Sequence, residues 1–186
     1  MKKYFYLNAD PERKDNPAGI IHFPEGFDWG IFDDGRKPKE LGKIPDITFM
    51  EGSISDILSA DYRLRIYSPR MKNIIMDYLT EIDNPLWTKM NIVLENNETI
   101  YDYYILQFIS PPSVLDMERT TFVGSNKKLV IKAIYDEMLI GNRHIFTYYN
   151  SHINRTIISS ELRKKLIQEK CTGIYMYDVL SSGKLV

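Results

Sequence analysis

The sequence predicts an α+β fold, in which a mostly antiparallel sheet carries two serine-capped amphipathic helices. Two observations support this fold class. Helical segments at Pro69–Leu79 and Ser160–Lys170 each follow a strand-like stretch and begin at a serine. Elsewhere, short apolar stretches are separated by Gly, Pro, Asn and Asp residues, the spacing that is typical of strands. Because domains usually hold about 100–150 residues, the 186 residues predict a single domain over 1–186.

The first third of the chain predicts strands that are separated by polar turns. Lys3–Leu7 is aromatic-rich and Ile44–Met50 is largely apolar, so both suit strands. Asp33–Gly35 is a strong turn signal. Tyr62–Tyr67 alternates with period two, which indicates a strand with two unlike faces.

The central region predicts a helix followed by a hairpin. Ser68 and Pro69 form the favoured start of a helix, an N-cap followed by proline at the first helical position. Apolar residues then recur on one helical face: Met71, Ile74, Ile75, Tyr78 and Leu79. Trp87–Leu94 and Ile100–Ser110 predict two strands of a hairpin. Further extended segments are predicted at Val114–Glu118, Lys128–Tyr135 and Ile145–Tyr149.

The C-terminal region repeats the strand-to-helix plan. Thr156–Ile158 is β-branched, Ser159 is placed to cap the following helix, and Gly173 is predicted to close that helix in the left-handed conformation. Ile174–Val179 then predicts a strand. The likeness between this unit and the one around Ser68 raises the hypothesis of a weak internal duplication.

Charge and composition exclude several classes of protein. The formal net charge of −1 gives no reason to expect a nucleic-acid partner. No apolar run reaches the length of a membrane span or a signal peptide, so we expect a cytoplasmic protein without a membrane partner. The single cysteine, Cys171, excludes an internal disulfide and is expected to be buried by packing.

No motif predicts a metal, a cofactor or a catalytic nucleophile. The histidines His22, His144 and His152 lack the spacing of metal ligands, and no Gly-rich phosphate loop or nucleophile elbow occurs. We therefore predict a protein that is not an enzyme and that needs no cofactor.

Two other functions stay open. Asp116 and Glu118 would share one face of a strand, so with a histidine they could serve a hydrolase; a solvated strand edge also explains them. The 13 tyrosines, with Tyr101, Tyr103 and Tyr104 close together, could instead form a stacking surface for a glycan or small molecule, although core packing explains most of them.

Acidic residues concentrate in the middle of the chain. Residues 76–118 hold eight acidic side chains against one basic residue, Lys89. An acidic region of this kind would attract a basic partner and speed association.

The order of several short motifs resembles a bacterial immunity-protein family of polymorphic toxin systems, the myxobacterial-type immunity domain. The segments that carry the resemblance are Trp29–Gly35, Asp56–Asp61, Ser68–Met71, Tyr103–Leu106, Val114–Asp116, Ile145–Phe146, Ile158–Leu162 and Thr172–Met176.

The resemblance implies a cytoplasmic protein that binds a cognate toxin and neutralises it stoichiometrically, without catalysis. Acidic side chains of such inhibitors often stand in for a substrate phosphate. Glu95, Glu98 and Asp102 cluster around the predicted hairpin tip, so they are the predicted contact residues.

Overall fold

A computed structural model of the chain describes residues 3–12, 14–15, 17–32, 44–60, 64–94, 100–123, 129–148 and 155–179. The elements of this part of the chain are, in order, β1 (Tyr4–Ala9), β2 (Gly19–His22), a 3-10 turn (Trp29–Phe32), β3 (Ile47–Glu51), β4 (Ile57–Ser59), β5 (Ile66–Tyr67), α1 (Pro69–Met76), a 3-10 turn (Glu81–Asp83), β6 (Pro85–Val93), β7 (Ile100–Phe108), β8 (Thr121–Val123), β9 (Leu129–Lys132), α2 (Glu137–Ile140), β10 (Ile145–Phe146), β11 (Thr156–Ser159), α3 (Ser160–Gln168) and β12 (Ile174–Asp178).

The strands form a closed barrel, a separate sheet and a small ribbon. The barrel joins six strands in the order β2-β3-β6-β7-β5-β4. The sheet has the order β10-β11-β1-β12, and all of its pairs are antiparallel. Strands β8 and β9 pair only with each other among the described strands. The predicted hairpin is confirmed, since β6 and β7 pair antiparallel from Pro85 opposite Phe108 to Val93 opposite Ile100.

The predicted α+β fold class is wrong: the protein is mostly β, and its helices do not share one sheet. Helix α3 packs on β1 and β11 of the sheet, whereas α1 packs on β5 and β7 of the barrel and against α3. Barrel closure depends on parallel pairs between β2 and β4 and between β3 and β6. Strands β2 and β4 have only four and three residues and lie far apart in the chain, so their pairing leaves little mark on the sequence.

Strand β1 is buried on both of its faces and lies between two hydrophobic cores. Phe5 and Leu7 point into a core that also contains α1, α3 and barrel residues such as Tyr67. Tyr4 and Tyr6 point the opposite way, into a core shared with residues 114–148, because successive side chains of a strand alternate between faces. A third core fills the barrel. The prediction of one domain over 1–186 stays a prediction; the first core, which joins barrel and sheet, is consistent with it.

Both predicted serine caps are confirmed. The Ser68 hydroxyl accepts a hydrogen bond from the Met71 amide at 3.1 Å, and Ser159 accepts one from the Leu162 amide at 3.2 Å. Helix α1 ends at Met76 rather than Leu79, because its last turn tightens into 3-10 bonds. One capped helix leaves the barrel and the other leaves the sheet, so duplication stays a hypothesis.

Helix α3 ends differently from the prediction. Lys170, with φ of 53°, is the left-handed residue; its amide bonds the Ile167 carbonyl and the Cys171 amide bonds the Leu166 carbonyl, which is the Schellman pattern. Gly173 is also left-handed, with φ of 74°, but serves the turn into β12. Cys171 is buried as predicted, and burial raises the pKa of its thiol to about 11. In the described part of the chain, no helix is long and apolar enough to cross a membrane.

Candidate partner-binding surface

A cleft of about 550 Å³ lies where the barrel meets the end of the four-stranded sheet. One wall is formed by β4 and the start of β5, and the other by the end of β1, the start of β11 and strand β12. The polar and aromatic side chains of its lining are Asn8, Asp10, Ser59, Arg65, Tyr67, Arg155, Thr156, Tyr175 and Tyr177.

Two tyrosines form an exposed aromatic face at this cleft. Tyr175 and Tyr177 lie two residues apart on β12 and therefore point to the same side of the sheet. Their ring centroids are 5.6 Å apart, and the Tyr177 ring lies 4.9 Å from that of Tyr6. Both β12 tyrosines are exposed, whereas Tyr6 is buried. The three rings thus run from the solvent into the core.

Arginines hold this aromatic row in place. The Arg155 guanidinium lies 5.4 Å from the Tyr6 ring centroid, and its Nη1 donates to the Tyr6 hydroxyl at 3.3 Å. The Tyr6 and Tyr135 hydroxyls are 2.7 Å apart, and burial raises the pKa of Tyr135. Arg65 is only 3% exposed; its guanidinium donates to the Thr156 hydroxyl at 2.9 Å and to the Arg155 carbonyl at 3.1 Å. Arg65 thereby ties the barrel to the sheet beneath the cleft.

The sequence missed the tyrosines of this cleft. The sequence raised the alternative of a stacking surface at Tyr101, Tyr103 and Tyr104. Tyr103 is buried in the barrel, and the Lys72 ammonium lies 3.8 Å from the centroid of the Tyr104 ring. The alternation of Tyr175 and Tyr177 in the last strand was the available signal. It did not reveal which face of that strand would meet solvent.

Of the three predicted contact residues, Asp102 is the one that lies in the described part of the chain. Its carboxylate lies on β7 and pairs with the Lys89 ammonium on β6 at 2.9 Å, and both side chains are exposed. The hydrogen bond from Lys89 to Asp102 raises the pKa of that lysine. Glu95 and Glu98 lie outside the described residues.

Asp116 and Glu118 do not form a carboxylate pair on a strand. The chain turns at this point, and Oδ1 of Asp116 accepts hydrogen bonds from the amides of Glu118 and Arg119, each at 3.1 Å. Asp116 therefore stabilises a turn. The prediction that Asp116 and Glu118 share one face of a strand, as the hydrolase alternative requires, is wrong. His144 lies elsewhere, 3.2 Å from the Glu161 carboxylate. Within the described residues, no three His, Cys, Asp or Glu side chains could hold a metal ion.

A buried carboxylate joins three distant parts of the chain. Oδ1 of Asp56, just before β4, accepts a hydrogen bond from the Ser68 hydroxyl at 2.7 Å. Its Oδ2 accepts from the Thr172 amide at 2.9 Å and from Nη1 of Arg70 at 3.2 Å. The Asp56 amide in turn donates to the Thr172 hydroxyl at 2.9 Å.

Gly173, the residue after Thr172, allows the turn before β12 to approach the start of β4 closely. A Cβ atom at Gly173 would lie 2.8 Å from both the Ile57 carbonyl oxygen and the Ser55 hydroxyl oxygen. Ser55 itself accepts from the Gly19 amide and donates to the Ile57 carbonyl. The start of β4, the cap of α1 and the turn before β12 therefore form one junction.

The sequence matches the model of the immunity protein family Imm11 over residues 24–181, most of the 186-residue chain. The chain belongs to the Imm11 immunity protein family. This confirms the resemblance inferred from the order of the motifs. No curated protein sequence matches the chain closely enough to count as a relative.

Three of the motifs that indicated the Imm11 family meet at the Asp56 junction. Asp56 begins the first, Ser68 the second, and Thr172 and Gly173 the third. In this Imm11 protein Asp56, Ser68 and Thr172 have a structural role, because their polar atoms bind one another, whereas Ser59 and Tyr175 of the same motifs line the cleft. The junction residues of the family motifs therefore account for part of the fold, and the partner contacts must be sought on exposed surfaces.

Proposed function

We propose that this protein binds a cognate bacterial toxin and neutralises it by covering its active site, without turnover. The membership of the Imm11 family carries this proposal. Neutralisation by occlusion requires a stable, preorganised surface, and the barrel and sheet joined by a common core provide one. The proposed compartment is the cytoplasm, where an immunity protein meets a toxin that enters the cell.

Glu95, Glu98 and Asp102 are the proposed contact residues for a basic toxin surface. Replacing all three by lysine is expected to weaken toxin binding roughly tenfold, because complementary charges become repulsive. Folding should be unchanged, since an exposed pair such as Lys89 and Asp102 contributes at most about 1 kcal/mol. The measurement is biolayer interferometry with the cognate toxin, identified by co-purification with this protein from its native host.

A matched control separates local contacts from total charge. Replacing Glu12, Asp15 and Glu25 by lysine changes the net charge equally, and all three side chains are exposed. We expect this control to bind the toxin like the wild type. An unchanged dissociation rate for the hairpin variant would remove these residues from the interface.

A second function is favoured by the exposed tyrosine row. Tyr175 and Tyr177 offer ring faces beside the polar groups of the cleft, an arrangement that suits a sugar ring, with its apolar face and polar rim. The hydrolase alternative has no such support, because Asp116 is committed to its turn.

Titration with maltotriose and chitotriose, followed by tyrosine fluorescence and calorimetry, tests the glycan alternative. If either sugar binds there, replacing Tyr175 and Tyr177 by alanine should abolish measurable binding, since stacking contributes about 1–3 kcal/mol per ring. The exposed Met50→Ala variant should leave sugar binding unchanged. Absence of binding by the wild-type protein would reject these glycans as ligands.

A further inference from the structure

Three large aliphatic side chains are exposed on α2 and on the 3-10 turn before β6. Met138 and Leu139 on α2 are 91% and 50% exposed, and Ile82 in the 3-10 turn before β6 is 61% exposed. We call these three residues the aliphatic patch. Exposed apolar side chains are common singly, but a grouped and rigidly held set indicates a contact surface.

An ion pair brings the two parts of the patch together. Nε of Arg143 lies 3.3 Å from Oδ1 of the buried Asp83, the residue after Ile82. Nη1 of Arg143 donates to the carbonyls of Leu139 and Ile140 at 3.4 and 3.2 Å. The same guanidinium thus contacts the end of α2 and the 3-10 turn. Because a buried ion pair adds little net stability, its clearest consequence here is to fix one segment against the other.

Each part of the patch also has its own cap. Oδ1 of Asp136 accepts hydrogen bonds from the amides of Met138 and Leu139 at 2.8 and 3.4 Å. Oδ2 of Asp83 accepts from the Thr80 amide and from the Thr80 hydroxyl, both at 2.7 Å. These caps order two short segments that would be weak alone. Because folding has already ordered these segments, binding of a partner costs little further conformational entropy there.

Acidic residues adjoin the patch residues in the chain. Glu81 precedes Ile82, Glu137 precedes Met138, and Asp77 follows α1. Glu137 and Glu161 both act on the buried Tyr4 hydroxyl, where desolvation and these carboxylates raise the pKa to about 12. Arg143, the cation that contacts both segments of the patch, is paired with Asp83.

We propose that the aliphatic patch is a docking surface for a basic protein, which inserts apolar side chains between the acidic groups. The proposal rests on the proposed function, since the basic protein is taken to be the cognate toxin. A second copy of this chain fits less well, because association through the patch would bring two acidic rims together.

The test replaces both α2 residues, as Met138→Lys with Leu139→Lys, and measures the Kd for the cognate toxin identified by co-purification from the native host. We expect Kd to rise roughly 100-fold, as for central contact residues. The control, Met50→Lys with Ile167→Lys, alters side chains that are 50% and 49% exposed elsewhere, and should bind like the wild type. Leu139→Ala adds no charge and should raise Kd roughly tenfold. This variant replaces the lysine variant in the test if the lysine variant does not fold.

The outcomes separate the two proposals. A folded lysine variant, or Leu139→Ala in its place, that binds within threefold of the wild type would overturn the docking surface and leave toxin neutralisation intact. A wild-type dimer that the lysine variant dissociates, with toxin affinity unchanged, would assign the patch to self-association and also overturn the proposal. Failure of the wild type to bind the toxin would overturn both.

Discussion

Replacing Gly173 by alanine is expected to lower the free energy of unfolding by roughly 3 kcal/mol. Two costs combine. The left-handed conformation, with φ of 74°, costs alanine about 1–2 kcal/mol. The new Cβ would lie 2.8 Å from the Ile57 carbonyl oxygen, and relieving such overpacking costs about 1–3 kcal/mol. For a chain of this size we expect Tm to fall by on the order of 10 °C, measured by calorimetry.

Gly26 is the matched control for this substitution. It has a similar φ of 80°, but a Cβ atom there would have no neighbour within 4 Å. Gly26→Ala is therefore expected to cost only about 1 kcal/mol, the conformational part of the effect. Equal Tm values for the two variants would show that contact between a Cβ atom at position 173 and β4 has no steric cost.

Replacing Asp56 by alanine is expected to destabilise the protein by about as much, roughly 3 kcal/mol. The carboxylate accepts hydrogen bonds from Ser68, Arg70 and Thr172, and its removal leaves the Thr172 amide and Ser68 hydroxyl without this acceptor at a buried junction. Unsatisfied buried donors cost about 1–3 kcal/mol each, which water entering the space would partly relieve. Urea unfolding monitored by circular dichroism measures the change.

Arg70→Ala measures how much the Arg70–Asp56 ion pair contributes to stability, apart from the hydrogen bonds that Asp56 accepts from Ser68 and Thr172. The Arg70 side chain is about half exposed, so its pair with Asp56 is screened by water and contributes at most about 1 kcal/mol. We expect this variant to remain close to the wild type in stability. If Asp56→Ala costs no more than Arg70→Ala, the bonds to Ser68 and Thr172 do not hold the junction together.

The features that the sequence predicted correctly depend on interactions between neighbours in the chain. The caps of α1 and α3 each join a serine to the amide three residues later, so a short segment contains the whole interaction. The β6–β7 hairpin likewise pairs adjacent segments. The end of α3 was predicted wrongly, because local preference pointed to Gly173 while Lys170 took the left-handed position.

The candidate surfaces were predictable only in part. The acidic bias of residues 76–118 is visible in the sequence, and Asp102 is exposed as a contact residue must be. The tyrosine row and the aliphatic patch are different, because exposure depends on which faces other elements cover. By residue type Met138 and Leu139 are expected in the core, but both are exposed, and Ile140 is the buried residue of α2.

From the amino-acid order alone came the membership of an immunity family, both helix starts and the central hairpin. Only the tertiary structure decided that the strands close into a barrel beside a second sheet, and that Asp56, Ser68 and Thr172 meet. The physical reason is the range of the interactions. Capping and hairpin formation act over a few residues, whereas barrel closure and surface exposure depend on pairings between segments far apart in the chain.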